Sequence, residues 1–537
     1  MKKLIVLFVV LTIAMVSVLP SFAEDEKAFH LISTANDGLG DKIDYPWMNM
    51  QMLGGLTWRT LFFVEPDMAT IGPDLASGYE VSDDGLTYTI DFIGGAKWSD
   101  GEEITLDDVV FSIKANLKAA ASNGIYTSTF TKIEGADAWR EGAADDLAGL
   151  SVDGNKLTIK LTSPHNTLPN VFCQFTILPE HILKDADLLE IANNEFWSHP
   201  VMSGMYRMDE FVAGSYYTLV PNEYWDGPKP KIEKIVINFV ADPVTAAQAG
   251  LVDMTNTNNN AVIAELNKLP GMTMFPVDIL FYRYFLANIE GVDGNTNPVM
   301  SDIRVRQAIM HAIDRETLAE SLFPGLAHVS NSGVAAENPA SIGTEYAYDP
   351  DLAHQLLVDA GWDFDYTLRI LLYYSDQTSL DFMDAIVYYL GEVGMKAEYT
   401  VTSNGTQDLF QTRNHDIGYK GLSAFDISEW YGEYNSANAN FRMVFGGDTA
   451  FDEYIDAYAA ATTQEEKDAA LVELQKVEEE KLYKLPLYTI GNNVFINTDG
   501  MPEGQGQPPG RASGLRAAHS RVSGASGRMN AWSFLYA

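Results

Sequence analysis

Residues Tyr79–Ile113 read YEVSDDGLTYTIDFIGGAKWSDGEEITLDDVVFSI. A turn at residues 83–85 is followed by strict alternation of apolar and polar residues over positions 86–92. Alternation with a period of two is typical of a strand with one buried face. A second turn follows at residues 99–101. The first half of this stretch therefore predicts a β-strand that tight turns bound on both sides.

The second half of the stretch predicts a capped helix. Thr105 and Asp108 have the spacing of a capping box, in which a hydroxyl and a carboxylate accept hydrogen bonds from backbone N–H groups at a helix start. The apolar residues that follow have helical spacing, so one face of the helix should be buried. The members of this predicted stripe are Leu106, Val109, Val110, Ile113 and Leu117.

The order of these pieces is also a family signature. DDGLTYT, then KWSDGE, then a capped helix reading DVVFS resembles the peptide/nickel-binding family of solute-binding proteins, the extracytoplasmic receptors of ABC importers. Residues 203–255 and Ser301–Gly325 resemble the family as well. The resemblance implies an α/β, two-lobed periplasmic-binding-protein fold. It places a third, smaller domain inside the first lobe and a cleft between the lobes.

The resemblance also implies a division of the chain. Leu485–Tyr488 resembles the crossover back to the first lobe and is the predicted hinge. Leu368–Tyr373 and Ala397–Val401 have the pattern of strands that flank a helix, which predicts a β-α-β unit in the second lobe. The expected segments are 1–23, a signal peptide; 24–78, the first part of lobe I; 79–200, the inserted small α/β domain; 201–281, the second part of lobe I; 282–485, lobe II; and 486–537, the closing segment of lobe I with the tail.

The first 23 residues have the composition of a secretory signal peptide. Lys2 and Lys3 precede an apolar run, and Ser21-Phe22-Ala23 supplies a small-x-small cleavage site. This run is too short and wrongly flanked for a permanent membrane span. No cysteine lies at its end, so a lipoprotein anchor is not expected. The sequence predicts a periplasmic protein without membrane insertion.

Charge and motif content exclude several classes of function. The formal net charge is −39, so a basic surface for nucleic acid is not expected. Cys173 is the only cysteine, so no internal disulfide can form. No G-x-S-x-G, P-loop or H-E-x-x-H motif is present. We therefore expect no enzyme, no cofactor and no metal site, although His415 beside Asp416 is the pair that a test for nickel would address.

Asp426 is the main candidate for contact with ligand. In peptide-binding members of the family, the stretch that corresponds to His415–Tyr431 carries an aspartate that pairs with the peptide α-ammonium. Asp426 matches that aspartate one position out of register, and Leu422 stands where those members have a tryptophan. A buried carboxylate suits this role because a charge removed from water needs a partner and hydrogen bonds.

Other candidates follow from aromatic and charged positions near these motifs. Trp430 and Tyr431 are candidates for the missing aromatic ring, and Arg413 is a candidate partner for a ligand carboxylate, with an exposed surface arginine as the alternative. In the first lobe, Asn36, Tyr45 and Trp47 border the cleft if the resemblance holds. For each of these aromatic rings the alternative is an ordinary place in the core.

The resemblance implies the substrate-binding component of an ABC importer. A monomer would capture dipeptides or oligopeptides by hinge closure and deliver them to the transmembrane subunits of a permease. One alternative keeps the fold and changes the solute to an oligosaccharide, stacking on rings such as Trp58, or to a nickel chelate. The other alternative is a secreted hydrolase, which would need a catalytic nucleophile or carboxylate pair in the cleft.

Overall fold

The computed structural model describes residues 28–34, 42–43, 45–47, 54–64, 70–277, 281–291, 298–336, 338–424 and 426–499. The predicted signal peptide, Asn36 and the residues from 500 onward lie outside these ranges.

The strands are numbered in chain order and fall into three larger sheets and a two-stranded one. They are β1 (Ala28–Thr34), β2 (Phe62–Val64), β3 (Ile71–Pro73), β4 (Ala76–Val81), β5 (Thr87–Phe92), β6 (Leu150–Asp153), β7 (Lys156–Lys160), β8 (Tyr206–Val212), β9 (Tyr216–Pro221), β10 (Lys234–Val240), β11 (Met254–Asn256), β12 (Met272–Val277), β13 (Phe281–Ala287), β14 (Ala327–Val329), β15 (Thr367–Leu372), β16 (Lys396–Val401), β17 (Ile417–Ser423), β18 (Lys484–Ile490) and β19 (Asn492–Asn497).

Helices connect the strands and are referred to by their bounds. The α-helices are Gly54–Thr57, Leu106–Lys118, Gly124–Phe130, Ala136–Arg140, Leu168–Phe172, Glu180–Leu183, Pro243–Gln248, Asn260–Leu266, Ile303–Ala312, Arg315–Leu322, Pro350–Ala360, Gln377–Glu392, Gly405–Gln407, Ile427–Gly432, Arg442–Phe445, Asp452–Ala460 and Gln464–Lys481. Short 3-10 turns occupy Ile191–Asn193 and Glu195–Ser198, and a π-turn occupies Asp408–Thr412.

The small sheet has the order β4-β5-β7-β6 and contains the strand predicted from the alternating pattern. Along β5, Tyr88, Ile90 and Phe92 are buried and the residues between them are partly exposed. The helix Leu106–Lys118 begins with the predicted capping box, in which Thr105 N donates to Asp108 Oδ2 at 2.8 Å. The predicted strand and the predicted capped helix of this stretch are confirmed.

A seven-stranded sheet forms the centre of the first lobe, in the order β12-β19-β11-β1-β10-β9-β8. β1 and β10 pair in parallel along their whole length, whereas β12 and β19 are antiparallel. One continuous hydrophobic core includes residues of this sheet, such as Leu31 and Ile235, and residues of the small sheet, such as Ile90. The small domain is therefore packed onto the first lobe through a shared core.

A six-stranded sheet forms the second lobe, in the order β14-β18-β13-β17-β15-β16. β15 is parallel to both β16 and β17, and the helix Gln377–Glu392 joins β15 to β16, as the β-α-β prediction required. Separate hydrophobic cores lie on this sheet, one around Tyr419 and one around Tyr284. The two large sheets thus belong to two separately packed lobes.

An antiparallel ribbon of two chain segments joins the lobes. In the first sheet Val277 pairs with Asn492, and in the second sheet Tyr282 pairs with Thr489, so the same two segments lie side by side on both sides of the junction. The predicted crossover at Leu485–Tyr488 is wrong in position, because these residues are a buried part of β18. The chain returns to the first sheet at Gly491.

Candidate ligand-binding site

The carboxyl edge of the second sheet faces the junction with the first lobe. The parallel strands β15 and β17 end there, at Leu372 and Ser423, and antiparallel β13 begins there, at Phe281. β18 also ends there, one residue before the chain crosses at Gly491. In open α/β sheets ligands bind outside the carboxyl ends of the strands. This edge is therefore the candidate site.

Asp426 lies just beyond the end of β17 and caps the helix Ile427–Gly432. Its Oδ1 accepts a hydrogen bond from Ser428 N at 2.8 Å, and its own N–H donates to Glu429 Oε1 at 3.1 Å. The second carboxylate oxygen has a long contact of 3.5 Å with the hydroxyl of Tyr458. Only 2% of the residue is exposed. One oxygen thus fixes the helix start, and the other keeps acceptor capacity for a cation.

Trp430 and Tyr431 are buried beneath Asp426. Trp430 Nε1 donates to Leu422 O at 3.2 Å, and its ring lies 5.0 Å from that of Tyr282. The hydroxyl of Tyr431 donates to Glu478 at 2.8 Å. Both rings are at most 4% exposed. In this conformation they support the strand-to-helix turn that carries Asp426.

A buried ionic cluster lies under the same turn. The carboxylate of Glu433 pairs with Lys420 at 2.8 Å and with Lys484 at 2.7 Å, and the hydroxyl of Tyr284 donates to it. Burial alone would raise the pKa of Glu433, but the two ammonium groups hold that pKa below its usual value. Lys484 also donates to Trp430 O at 2.6 Å. The cluster joins β17, β18 and the helix behind Asp426.

Arg413 is on the opposite side of the second lobe. It precedes β17 rather than following it, and it is 6% exposed, so the alternative of an exposed surface arginine is wrong. Its guanidinium donates to Met443 O, and its own carbonyl accepts from Asn288 Nδ2 at 3.1 Å. The structure does not bring Arg413 to the carboxyl edge with Asp426.

Tyr45 and Trp47 lie in the core of the first lobe. The ring of Trp47 stacks on Phe175 at 5.2 Å, its Nε1 donates to Thr176 O at 2.9 Å, and none of it is exposed. Tyr45 meets Trp47 and Trp197 edge to face and is 7% exposed. In this conformation both rings therefore lie in the core, which was the alternative to a place at the cleft. Asn36 lies outside the described residues.

Three residues at the carboxyl edge were missed by sequence reasoning. Arg283 is in β13, and Tyr373 and Tyr374 follow β15 directly. The hydroxyl groups of the two tyrosines are 2.9 Å apart. The signal available in the sequence was a single charged residue inside the otherwise apolar and aromatic strand FYRYFLA of β13.

The small domain contacts the second lobe through Asn166. Its backbone N–H donates to Ala459 O at 3.0 Å, and its side-chain amide donates to Tyr458 O at 2.6 Å and to Ala461 O at 3.1 Å. These acceptors lie at the end of the helix Asp452–Ala460, where the Tyr458 carbonyl also accepts from the N–H of Ala461 at 3.2 Å. This contact joins the two lobes away from the ribbon.

Within the described ranges, no group of three or more His, Cys, Asp or Glu side chains could hold a metal ion. Of the pair considered for nickel, Asp416 binds Arg369 at 2.8 Å, and the ring nitrogens of His415 have no hydrogen-bond partner among the described residues. Among the same residues, no helix has the length and apolarity that crossing a membrane requires.

Two lobes on a ribbon hinge, with charged and aromatic side chains at the edge that faces the junction, define a two-lobed ligand-binding protein. The family model for bacterial extracellular solute-binding proteins, family 5, matches residues 70–452. The chain belongs to this family.

Curated relatives are named for peptide binding. A putative ABC transporter peptide-binding protein of Brucella ovis is 31% identical over 364 residues, which cover 64% of this chain and 63% of the relative. The oligopeptide-binding protein AppA of Bacillus subtilis is 27% identical over 300 residues, covering 54% of this chain and 51% of the relative. The chain thus spans less than two thirds of the length of these relatives.

Solved structures share the whole fold at low identity. NikZ from Campylobacter jejuni in complex with Ni(L-His) has a TM-score of 0.70 and 20% identity, over 88% of this chain and 94% of that one. Lactococcal OppA, complexed with an endogenous peptide in the closed conformation, has a TM-score of 0.69 and 20% identity, over 88% and 96%. The predicted two-lobed α/β fold with an inserted small domain is confirmed.

Proposed function

We propose that this protein is the extracytoplasmic substrate-binding component of an ABC importer and that it captures dipeptides or oligopeptides. The observation that carries the proposal is the carboxylate of Asp426, buried at the carboxyl edge of the second sheet, whose second oxygen has only a long contact of 3.5 Å with the hydroxyl of Tyr458. A peptide α-ammonium is a suitable cation for such a site. The names of the relatives support a peptide over other solutes.

Binding in this proposal requires no chemical step. A ligand between the lobes stabilises the closed form, and the closed form is what the permease recognises. Asp426 receives the ammonium group, and the buried cluster of Glu433, Lys420 and Lys484 ties the helix that Asp426 caps to the second sheet. We further propose that the protein acts as a periplasmic monomer and not as an enzyme.

The test is a calorimetric titration of the purified protein with peptides of two to nine residues. Asp426→Asn keeps the helix cap, because asparagine caps as well as aspartate, and removes the charge. We expect it to weaken peptide binding by about 10- to 100-fold, the range of a lost charge-assisted hydrogen bond. N-acetylated peptides should bind the native protein as weakly as free peptides bind this variant.

The matched control is Asp349→Asn, which changes the cap of the helix Pro350–Ala360 elsewhere in the second lobe and should leave affinity unchanged. If N-acetylation costs nothing, ammonium recognition by Asp426 is wrong. Binding of oligosaccharides or of Ni(L-His) in place of peptides would retain the fold and replace the proposed ligand. Turnover of a bound compound would contradict the binding-protein role.

A further inference from the structure

Arg283 lies two residues inside the second lobe, on the central strand β13 of the candidate edge. It pairs with Gly421 of β17 and with Tyr488 of β18. A Cβ atom added to Gly421 would lie 2.9 Å from Arg283 Cδ and 3.1 Å from the hydroxyl of Tyr374. The arginine side chain therefore runs across the open face of a glycine, toward the tyrosines that follow β15.

Aromatic rings surround the guanidinium group. Its Cζ lies 3.7 Å from the ring centroid of Tyr374, 4.4 Å from that of Phe281 and 5.4 Å from that of Tyr419. Burial raises the pKa of Tyr374 and of Tyr419, so these rings are neutral at physiological pH. The rings hold the plane of the guanidinium group by cation–π contact but do not neutralise its charge.

Arg283 has no anionic partner among the described residues. Its Nε and Nη1 atoms are buried and make no hydrogen bond. The buried Arg306 and Arg315 also have an unpartnered Nε, but their terminal nitrogens donate to backbone carbonyls: Arg306 to Lys481 O at 2.7 Å, and Arg315 to Ser330 O and Tyr346 O, each at 2.7 Å. Burying a cation without a partner is costly. A buried site with an unpaired positive charge is suited to bind an anion that a ligand supplies.

Arg283 is only partly enclosed by the described part of the protein, although two of its guanidinium nitrogens are buried. The paired hydroxyl groups of Tyr373 and Tyr374 are further hydrogen-bond donors at the same edge. A planar guanidinium group matches a carboxylate in geometry and can bind both of its oxygens.

We propose that Arg283 binds a carboxylate of the ligand. This inference rests on the proposed function, for which it names the second charged contact. Asp426 takes the ammonium end of a peptide, and Arg283, with Tyr373 and Tyr374 beside it, takes the carboxylate end. Gly421 provides the space, since any side chain there would meet the arginine and Tyr374.

The test compares peptides that end in a free carboxylate with the same peptides as C-terminal amides. The native protein should bind the acid about 10- to 100-fold more tightly than the amide. Arg283→Met removes the charge at similar volume, and this variant should bind acid and amide equally. Arg442→Met, a change of an exposed arginine in the same lobe, should keep the native preference.

Two outcomes overturn the inference while leaving peptide binding intact. One is a native protein that does not distinguish acid from amide, and the other is an Arg283→Met variant that distinguishes them as strongly as the native protein. Folding is checked on the unliganded variant, whose melting temperature should equal or exceed that of the native protein because an unpaired buried charge is gone. A large fall in melting temperature would show that the chain itself pairs this charge.

If no peptide binds, the proposed function fails and Arg283 is tested separately with acetate against chloride at equal ionic strength. A greater rise in melting temperature with acetate in the native protein than in Arg283→Met supports the carboxylate site. Equal rises in both proteins contradict it.

Discussion

His415 illustrates how burial alone sets the charge of a residue. It is 1% exposed, and neither ring nitrogen has a hydrogen-bond partner. Burial, opposed by the neighbouring Asp416, lowers its pKa to about 4. Asp416 itself is bound to Arg369 and Tyr366. The folded protein therefore holds His415 as a neutral ring over the physiological range.

Because the folded protein holds this ring neutral, we expect the folded state to lose stability as the pH falls. In the unfolded chain a histidine takes up its proton near pH 6.5, whereas the folded protein does not protonate His415 until about pH 4. Between these values the unfolded state binds more protons, so the free energy of unfolding falls as the pH is lowered. The His415 contribution to this fall is about 3 kcal/mol. Urea unfolding at several pH values measures it.

His415→Leu should show a flatter dependence of stability on pH between 6.5 and 4. The matched change at the exposed His199 should leave the slope as it is. An unchanged slope in His415→Leu would mean that His415 is not the group responsible.

Single residues of the site were only partly predictable from the sequence. Asp426 was identified because it matches, one position out of register, the aspartate of peptide-binding members of the family; in the structure it caps a helix. Its binding role stays a prediction. A sequence does not show which way the side chains of Trp47 and Tyr45 point, and in the structure both are buried in the core. Arg283 was missed because its lack of an anionic partner depends on how β13 packs between β17 and β18, which a single sequence does not show.

At the level of elements, the ionic cluster ties the helix Ile427–Gly432 to the second sheet. Glu433 follows the helix Ile427–Gly432, while Lys420 and Lys484 are on adjacent parts of the second sheet. The carboxylate and the two ammonium groups stabilise one another only when all three are present, because a buried charge without its partner is costly. The cluster therefore fixes the helix that Asp426 caps relative to the sheet.

Glu433→Gln is expected to destabilise the protein by about 3–5 kcal/mol, because it leaves two ammonium groups buried without their carboxylate. Chemical denaturation monitored by tryptophan fluorescence measures the loss. Glu473→Gln is the control, since Glu473 pairs with Lys476 at 2.7 Å on the exposed face of a helix, and its change should cost less than about 1 kcal/mol. Equal effects of the two substitutions would show that the buried cluster is not a unit.

Periodic patterns predicted elements well and their connections less well. β5 and the β15–β16 unit were found because alternation and flanking turns are local signals. The crossover was misplaced because β18 is buried at nearly every position, so its sequence shows no alternation that would identify it as a strand. Which strands pair across hundreds of residues is decided by packing, which a single sequence does not display.

For the whole molecule, contacts between the described parts of the lobes include the ribbon, a hydrogen bond from Asn260 Nδ2 to Leu322 O at 3.0 Å, and Asn166. The ribbon is covalent and present in every state, whereas the hydrogen bonds of Asn166 to Tyr458 and Ala461 exist only when the small domain lies against the second lobe. We therefore expect the Asn166 contact to favour the closed form.

Asn166→Ala should raise the rate of ligand dissociation by about 5- to 30-fold, because two hydrogen bonds that stabilise the closed form are lost. Stopped-flow displacement of a labelled ligand measures the rate. The melting temperature of the unliganded protein should change little. Asn267→Ala, at an exposed position on the first lobe, is the control. An unchanged dissociation rate in Asn166→Ala would mean that this contact does not govern closure.

The ribbon also limits the kinds of motion available to the lobes. Gly491 has no side chain, and the backbone carbonyl of Val277 occupies the place that a Cβ atom would take, so the two connections touch at that point. We expect two chain segments in contact at this point to favour rotation of the lobes about it over sliding of one lobe past the other. Ligands of different length would then differ in how far the lobes turn and not in which direction. On this expectation, a single interprobe distance across the cleft follows both opening and closing.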